Sequence, residues 1–171
     1  ATHQILEDLG MMQMLPGMVV INPCDYNQTK AATIASAQYN GPVYLRFGRP
    51  VWPIFMPENQ KFEIGKAIVM NEGTDVTIFA TGHLVYKALE AARQLEAEGL
   101  SVELINIHTI KPLDNEAVLK SISKTKCAVI AEEHNRIGGL GWAIAGLLAT
   151  TTPAPLEYVA VNDSFGESGT P

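Results

Sequence analysis

The strongest constraint on the fold of this 171-residue chain is the alternation of short apolar runs with longer helical segments in its second half. Glycine or proline stands at most of the changes between the two patterns, which marks the element boundaries. Buried strands that alternate with helices are typical of a parallel sheet with helices on both faces. We therefore predict a three-layer, mostly parallel α/β domain over residues 63–171, with strands at 64–70, 76–80, 102–107, 127–131 and 156–161.

The helices between these strands have recognisable ends. They are predicted at 83–98, at 115–123 and at 139–148. Asp114 is suited to cap the second helix, and Gly99 is suited to the left-handed position that ends the first. Asn71-Glu72-Gly73 predicts a hairpin turn after the first strand.

Residues 1–55 repeat the alternation in a shorter form. The predicted elements are a helix capped by Thr2 and ending before Pro16, a strand at 18–23, a helix at 26–39 capped by Asp25, and a strand at 43–47. Two or three strands alone would leave both faces of a sheet uncovered. We therefore expect residues 1–55 to be the later part of a doubly wound domain, with sequence missing upstream.

Composition suggests a linker and a partner surface. Proline is frequent from Pro50 to Pro57, and residues 56–62 are predicted to link the two α/β parts. Apolar residues make up 47% of the chain and charged residues only 18%, whereas charged residues are about a quarter of an ordinary soluble domain. We expect part of this apolar excess to face a partner.

Charge and cysteine usage argue against several classes of function. The net charge of −6 offers no field for phosphate backbones, so no nucleic acid partner is expected. No apolar run approaches the roughly 18 residues of a membrane helix, and no leader pattern opens the chain, which favours a cytoplasmic protein with no membrane partner. Cys24 and Cys127 are predicted to be buried, reduced thiols, since neither lies in a CxxC pair.

Two motifs resemble known catalytic loops but fit them poorly. Gly138-Gly139-Leu140-Gly141 is similar to a dinucleotide fingerprint, but Ile144 stands where a third glycine or alanine belongs. A glycine turn that lets a helix approach the sheet is the favoured interpretation. Gly166-Glu167-Ser168-Gly169 is similar to a nucleophile elbow, but Thr170 replaces its closing glycine.

The remaining polar clusters are weaker candidates. Glu132-Glu133-His134 offers carboxylates and an imidazole for acid-base chemistry or metal binding, but adjacent strand residues point to opposite faces. A capped loop is the preferred interpretation. His83 and His108 are predicted to form hydrogen bonds in loops.

His3 and Arg49 are the best candidates for contact with a substrate. His3 lies beside the predicted start of the first helix, where free amide groups attract anions and lower the basicity of imidazole. In an acidic protein an anionic substrate must be held by local cations such as Arg49. No complete catalytic set accompanies them, so we interpret the chain as part of an enzyme.

Several short motifs follow one another along the whole chain in a specific order. They are Thr2-His3-Gln4, Pro23-Cys24-Asp25, Arg46-Phe47-Gly48-Arg49-Pro50, Ile110-Lys111-Pro112-Leu113-Asp114, Glu132-Glu133-His134 before the glycine cluster, and the final Phe165-Gly166-Glu167-Ser168-Gly169-Thr170-Pro171. Each is weak alone, but the ordered series resembles the transketolase family.

The resemblance implies a thiamine-diphosphate enzyme, with Mg²⁺ or Ca²⁺, that moves a two-carbon ketol unit between sugar phosphates in the pentose phosphate pathway. Residues 1–55 resemble the end of the pyrimidine-binding domain, and residues 63–171 resemble the C-terminal domain. By the same resemblance, His3 lines the substrate channel and hydrogen-bonds the sugar, and Arg49 binds the substrate phosphate, which suits a guanidinium fork.

The resemblance also implies what the chain lacks. The glutamate and aromatic residues that hold the aminopyrimidine would lie upstream of Ala1, and the metal and diphosphate ligands in another domain. We therefore expect no cofactor on this chain alone, no activity without the missing N-terminal portion or subunit, and a homodimer in the complete enzyme.

Two alternatives stay open. Deoxyxylulose-phosphate synthase is a related enzyme, but it typically has Phe-Asp where this chain has Glu7-Asp8, and Tyr-Pro-Arg-Gly where this chain has Phe47-Gly48-Arg49-Pro50. Both differences favour transketolase, and the second resembles transketolases whose halves are separate subunits. The other alternative is a non-catalytic assembly or regulatory module.

Overall fold

Residues 5–167 are described by a computed structural model of helices and strands, and the strands form two sheets. In chain order the elements are α1 (Asp8–Gln13), β1 (Val19–Ile21), α2 (Tyr26–Gln38), β2 (Val43–Leu45), β3 (Ile68–Asn71), β4 (Val76–Ala80), α3 (Leu84–Ala97), β5 (Val102–Asn106), β6 (Thr109–Lys111), α4 (Asn115–Thr125), β7 (Ala128–Asn135), α5 (Leu140–Ala149) and β8 (Leu156–Val161). The α/β class is confirmed.

The larger sheet has the strand order β3-β5-β4-β7-β8 and is parallel except for β3. Its two faces carry separate apolar clusters. On one face Ile78 and Leu104 pack with Val85 and Ala88 of α3. On the other face Phe79 packs in a cluster with apolar residues of α4 and α5, namely Val118, Ile122, Leu140, Ile144 and Leu148. The mostly parallel, three-layer arrangement is therefore confirmed.

The predicted hairpin after β3 is wrong, because β5 lies between β3 and β4. The connection crosses the start of β5, where the backbone amides of Thr74 and Asp75 donate to the Ser101 carbonyl at 3.3 and 2.9 Å. A β-carbon on Gly73 would lie 2.1 Å from the backbone carbon of Val102. The glycine is thus needed for a close crossing of two backbones rather than for a tight turn.

The smaller sheet has the order β2-β1-β6, and β6 was not predicted. The strands β1 and β2 are parallel, whereas β6 runs antiparallel to β1, with Thr109 opposite Ile21. Three residues are too few to show a strand period in the sequence. This short strand comes from the second half of the chain and joins the two parts of the protein.

The start of α1 also differs from the prediction. The helix begins at Asp8, and Glu7 occupies its N-cap without a side-chain cap. Thr2, the predicted cap, lies outside the described residues. The Leu6 carbonyl accepts a hydrogen bond from the Asn135 amide at 2.7 Å instead of a helical one. This bond ties the chain before α1 to the end of β7, which runs four residues beyond its predicted end at Ala131.

Two further findings concern membrane-spanning helices and the cysteines. Among residues 5–167, no helix combines the length and the apolar character that crossing a membrane requires. Cys24 and Cys127 are both free thiols, as predicted. Cys24 is buried, but Cys127 is partly exposed, so the prediction of burial is wrong for the second cysteine.

The Asp25 carboxylate caps α2 as predicted, and it also fixes a distant segment. One oxygen accepts from the Gln28 amide at 2.8 Å. The other accepts from the amides of Phe55 and Met56, at 2.8 and 2.7 Å. A buried carboxylate with three amide donors stabilises both ends of this contact.

A second buried carboxylate caps α5. The two oxygens of Glu132 accept from the amides of Leu140 and Gly141 at 2.7 and 3.0 Å. A β-carbon on Gly139 would lie 2.1 Å from one of those oxygens, so the glycine makes room for the carboxylate. Burial raises the pKa of Glu132 to about 7, although the hydrogen bonds from the two backbone amides favour the charged form.

Replacement of Asp25 with Ala is expected to lower the free energy of unfolding by about 2–4 kcal/mol, because the helix cap and two further amide partners are lost together. Urea denaturation measures the change. Glu58→Ala is the control, since Glu58 is exposed and only pairs with Lys30 at 3.5 Å. It is expected to change stability by about 0.5 kcal/mol or less. A similar loss in both variants would contradict the role given to Asp25.

Glu132 is expected to make stability depend on pH near neutrality. Its pKa is higher in the folded state than the unfolded value of about 4.3, so between these values the folded protein holds a proton that the unfolded chain has lost. Stability should therefore fall by about 1–3 kcal/mol as pH rises from about 4.5 to about 7.5. Glu132→Gln cannot ionise, and urea denaturation across this range should show a flatter profile. Parallel profiles would refute the assignment.

Candidate functional site

The two sheets meet where β1, β4 and β5 end. Asn22, directly after β1, accepts at its carbonyl from the Gly82 amide at 3.1 Å and donates its own amide to the His108 carbonyl at 2.9 Å. Its side-chain amide donates to the Thr81 hydroxyl at 3.3 Å. In open α/β sheets, ligands bind at the carboxyl ends of strands, so this junction is the first place to look for a site.

The guanidinium of Arg46, just after β2, is bound by other groups of the protein. Its Nε lies 3.3 Å from Oδ2 of Asp8, a carboxylate that is 2% exposed. Its Nη2 donates to the Ile5 carbonyl at 3.2 Å. The Tyr44 hydroxyl donates to the same Asp8 oxygen at 2.8 Å. Burial, helped by the hydrogen bond to Asp8, raises the pKa of Tyr44 to about 12 and keeps it a donor.

Arg49 has a different environment from Arg46. It is exposed, and it forms no salt bridge with any residue in the range 5–167. It follows β2 in an irregular segment at the junction of the sheets. The guanidinium is therefore accessible to an anionic ligand from solvent.

His3, the other predicted site residue, lies outside the described residues. The reason given for its reactivity needs correction, because α1 begins at Asp8 and not beside His3. The nearest described anchor is Ile5, whose carbonyl is bound by Arg46. The segments that lead to the two predicted site residues are therefore joined by a hydrogen bond.

His83 lies at the start of α3 and contacts the Arg49 segment. Its ring stacks on the indole of Trp52, with centroids 4.5 Å apart and planes inclined by 14°. Its Nδ1 is 3.8 Å from Oε2 of Glu133 on β7. Burial lowers the pKa of His83. The Glu133 carboxylate partly opposes this shift, and the positive charge of Arg46 adds to it. The imidazole is therefore neutral at pH 7.

His108 behaves as predicted. Its Nδ1 lies 2.9 Å from the Thr109 hydroxyl, and its ring packs on Phe62 with centroids 4.2 Å apart. Burial lowers its pKa to about 4. A neutral, buried imidazole with these partners has a structural role.

Residues 132–134 do not form the acid-base or metal cluster that was considered. They belong to β7 and not to a capped loop. Glu132 and His134 are buried, whereas Glu133 is exposed, in agreement with the predicted opposite faces. His134 accepts from the Gly10 amide at 3.3 Å. No group of three or more His, Cys, Asp or Glu residues suited to a metal ion occurs in the described part of the chain.

The glycine cluster before α5 does not offer a phosphate cradle. The amides of Leu140 and Gly141, which would face a diphosphate, are already bound by Glu132. An anionic ligand would have to displace a buried carboxylate. The second motif considered, Gly166-Glu167-Ser168-Gly169, extends outside the described residues at Ser168.

An open apolar groove of about 600 Å³ lies between α1 and the start of α5. Its lining includes Met11, Met14, Ile137 and Trp142, all more than 45% exposed. Four large apolar side chains around one groove agree with the expectation that part of the apolar excess faces a partner.

Comparison with known proteins agrees with this architecture. Residues 65–171 match the family described as transketolase, C-terminal domain, and residues 1–53 match the family described as transketolase, pyrimidine binding domain. A solved structure of a split-gene transketolase, described as an inactive beta4 tetramer, superimposes with a TM-score of 0.94 at 45% sequence identity. The match covers 97% of this chain and 55% of that one.

Two curated relatives show the range of the family. A 6-deoxy-6-sulfo-D-fructose transketolase subunit from Clostridium is 46% identical over 98% of this chain and 52% of its own length. One of the subunits of an apulose-4-phosphate transketolase from Phocaeicola vulgatus is 35% identical over 95% of this chain and 52% of its own length. The chain spans about half the length of these relatives. From the ordered motifs, the fold and these matches, the chain belongs to the transketolase family.

Proposed function

We propose that this chain is the C-terminal part of a thiamine-diphosphate-dependent transketolase that transfers a two-carbon ketol unit between sugar phosphates in the cytoplasm. Family membership and the relatives named as transketolase subunits support this proposal. Residues 1–55 would complete a pyrimidine-binding domain, residues 56–62 would link the parts, and residues 63–171 would form the C-terminal domain.

The observation that carries the proposal is the contrast between the two arginines after β2. Arg46 is held by Asp8 and the Ile5 carbonyl, whereas Arg49 is exposed and has no ion pair within residues 5–167. A planar, permanently charged guanidinium suits the phosphate of a sugar phosphate. Arg49 therefore binds the substrate phosphate in the complete site.

His3 would act at the other end of the substrate. A histidine in the substrate channel can hydrogen-bond a sugar hydroxyl and move a proton at that oxygen. The bond between Arg46 and the Ile5 carbonyl supports this role, because it ties the segment that leads to His3 to the strand end that leads to Arg49. The two residues would then contact one sugar phosphate from its hydroxyl and phosphate ends.

The cofactor would be held elsewhere. Thiamine diphosphate stabilises the carbanion that cleavage of a carbon–carbon bond requires. The residues described here do not fit its diphosphate, since Glu132 fills the glycine-rich helix start. Other transketolase segments would supply the cofactor and Mg²⁺ sites, and this chain would be inactive without them.

Self-association of the complete enzyme as a homodimer belongs to the same proposal. The groove between α1 and α5 offers exposed apolar side chains for contact with another subunit. The solved relative is described as a tetramer, which concerns that protein.

Arg49→Ala is expected to raise the KM for ribose 5-phosphate about 10- to 100-fold, because the charge-assisted bonds to the phosphate are lost. The assay measures ketol transfer from xylulose 5-phosphate in the enzyme assembled from this chain and the remaining transketolase segments, with thiamine diphosphate and Mg²⁺. We refer to this preparation as the assembled enzyme. His3→Ala should instead lower kcat by about 100-fold or more.

Arg93→Ala is the matched control, since Arg93 is an exposed arginine on α3. It should leave KM and kcat unchanged. Turnover by the chain alone would refute its proposed incompleteness. An assembled complex that transfers nothing from xylulose 5-phosphate but accepts pyruvate as donor would favour the deoxyxylulose-phosphate synthase alternative, and a complex with neither activity would favour the assembly module.

A further inference from the structure

The segment that carries Arg49 rests on the ring of His83 at two points. A β-carbon built on Gly48 would lie 2.2 Å from Cε1 of His83 and 2.9 Å from Nδ1, so the backbone directly before Arg49 is in contact with the imidazole. The indole of Trp52 stacks on the same ring at 4.5 Å. Arg49 lies between these two contacts in the sequence and is itself exposed.

His83 is held in place by both sheets. It directly follows Gly82, whose amide donates to the Asn22 carbonyl after β1 at 3.1 Å and whose φ of +58° forms the turn into α3. The preceding Thr81 amide donates to the Ala131 carbonyl of β7 at 3.1 Å. The His83 side chain is only 13% exposed. The imidazole is therefore a fixed surface on which an irregular segment can rest.

Trp52, the other ring of this stack, is also held in place. Tyr86, one turn further along α3, contacts Trp52 edge to face at 6.2 Å between centroids and contacts Phe55 at 5.5 Å. The Phe55 amide is bound by the Asp25 carboxylate. The chain after Arg49 is thus fixed at Trp52 and again at Phe55, while the chain before it is fixed at Gly48.

Charged groups near the ring come from two elements. Glu133 of β7 lies 3.8 Å from Nδ1, and Arg46 after β2 exerts a positive field on the ring. A neutral imidazole adds no positive charge beside Arg46 and Arg49, and it does not compete with Arg49 for an anion. Its contribution to the Arg49 segment is therefore a flat packing surface.

We propose that His83 is a positioning residue that holds the Arg49 segment in the conformation that binds the substrate phosphate. The inference rests on the proposed function of Arg49. It gives the second half of the chain a part in phosphate recognition, although the phosphate ligand itself comes from the first half. Because the ring acts by its shape, another flat ring should replace it, whereas a small side chain should not.

The first test is equilibrium binding of ribose 5-phosphate to the assembled enzyme, measured by titration calorimetry without a donor. His83→Ala should weaken binding about 10-fold, since a misplaced ligand group loses much of its interaction. His83→Phe should bind within about two-fold of the unchanged protein, because it keeps the flat ring on which Gly48 and Trp52 pack. Arg93→Ala should have no effect.

The second test is kinetic. In ketol transfer, His83→Ala should raise the KM for ribose 5-phosphate about 10-fold and leave kcat within about two-fold. With hydroxypyruvate as donor and glycolaldehyde as acceptor, neither of which carries a phosphate, the same variant should match the unchanged enzyme. A general folding defect would impair both acceptors, so this comparison separates positioning from stability.

A double-mutant cycle tests the contact itself. Gly48→Ala places a β-carbon against the ring, so it should weaken binding of ribose 5-phosphate in the unchanged background. In the His83→Ala background the ring is absent, and Gly48→Ala should add no further loss. Additive losses would show that Gly48 and His83 act independently and would overturn the inference.

The outcomes separate the inference from the proposed function. If Arg49→Ala and His83→Ala both weaken binding of ribose 5-phosphate but the assembled enzyme transfers no ketol group, the proposed function is contradicted and the inference is supported. Weaker binding in Arg49→Ala alone would overturn the inference and keep the function. Failure of His83→Phe to restore binding would also overturn it, since the role would then depend on the ring nitrogens.

Discussion

The antiparallel pairing of β1 with β6 is the interaction on which the rest of the structure depends. Both strands have three residues, and β1 and β2 alone would form a two-stranded sheet that is marginally stable in water. The Lys111 ammonium extends the pairing, because it donates to the carbonyls of Gln13 and Leu15 at the end of α1, at 2.8 and 2.7 Å. This junction sets the distance between the end of β2, which carries Arg49, and the end of β4, which carries His83.

The buried acidic side chains near this junction have partners within the fold, which leaves few cations for a ligand. Asp8 is compensated by Arg46 and Tyr44, and Glu132 is bound by two amides of α5. An unpaired buried charge is costly, so these partners are fixed by the fold. Arg49 is placed differently, on the surface and next to a rigid ring. Of the two arginines in the motif at residues 46–50, Arg46 thus stabilises the fold and Arg49 is available to the proposed site.

Sequence patterns predicted the elements that depend on local chemistry. The caps at Asp25 and Asp114 and the terminator Gly99 were correct, because each acts within one turn of its helix. Sequence patterns did not predict the elements whose structure is determined by contacts between residues far apart in the chain. The strand β6 exists only because β1 lies beside it, and the hairpin expected at Gly73 is replaced by a crossing over β5. The ordered motifs pointed to Arg49, but only the contacts around Arg46 distinguish the two arginines, and no local signal connected His83 with either.

Retention of thiamine diphosphate tests most directly whether this chain holds substrate-binding residues but not the cofactor site. Equilibrium dialysis with Mg²⁺ would compare the chain alone, the remaining transketolase segments alone, and the assembled enzyme. We expect that the chain alone retains no cofactor and that the assembled enzyme retains about one cofactor per copy of the chain, because the site needs groups from several segments. Stoichiometric retention of thiamine diphosphate by the chain alone would contradict it.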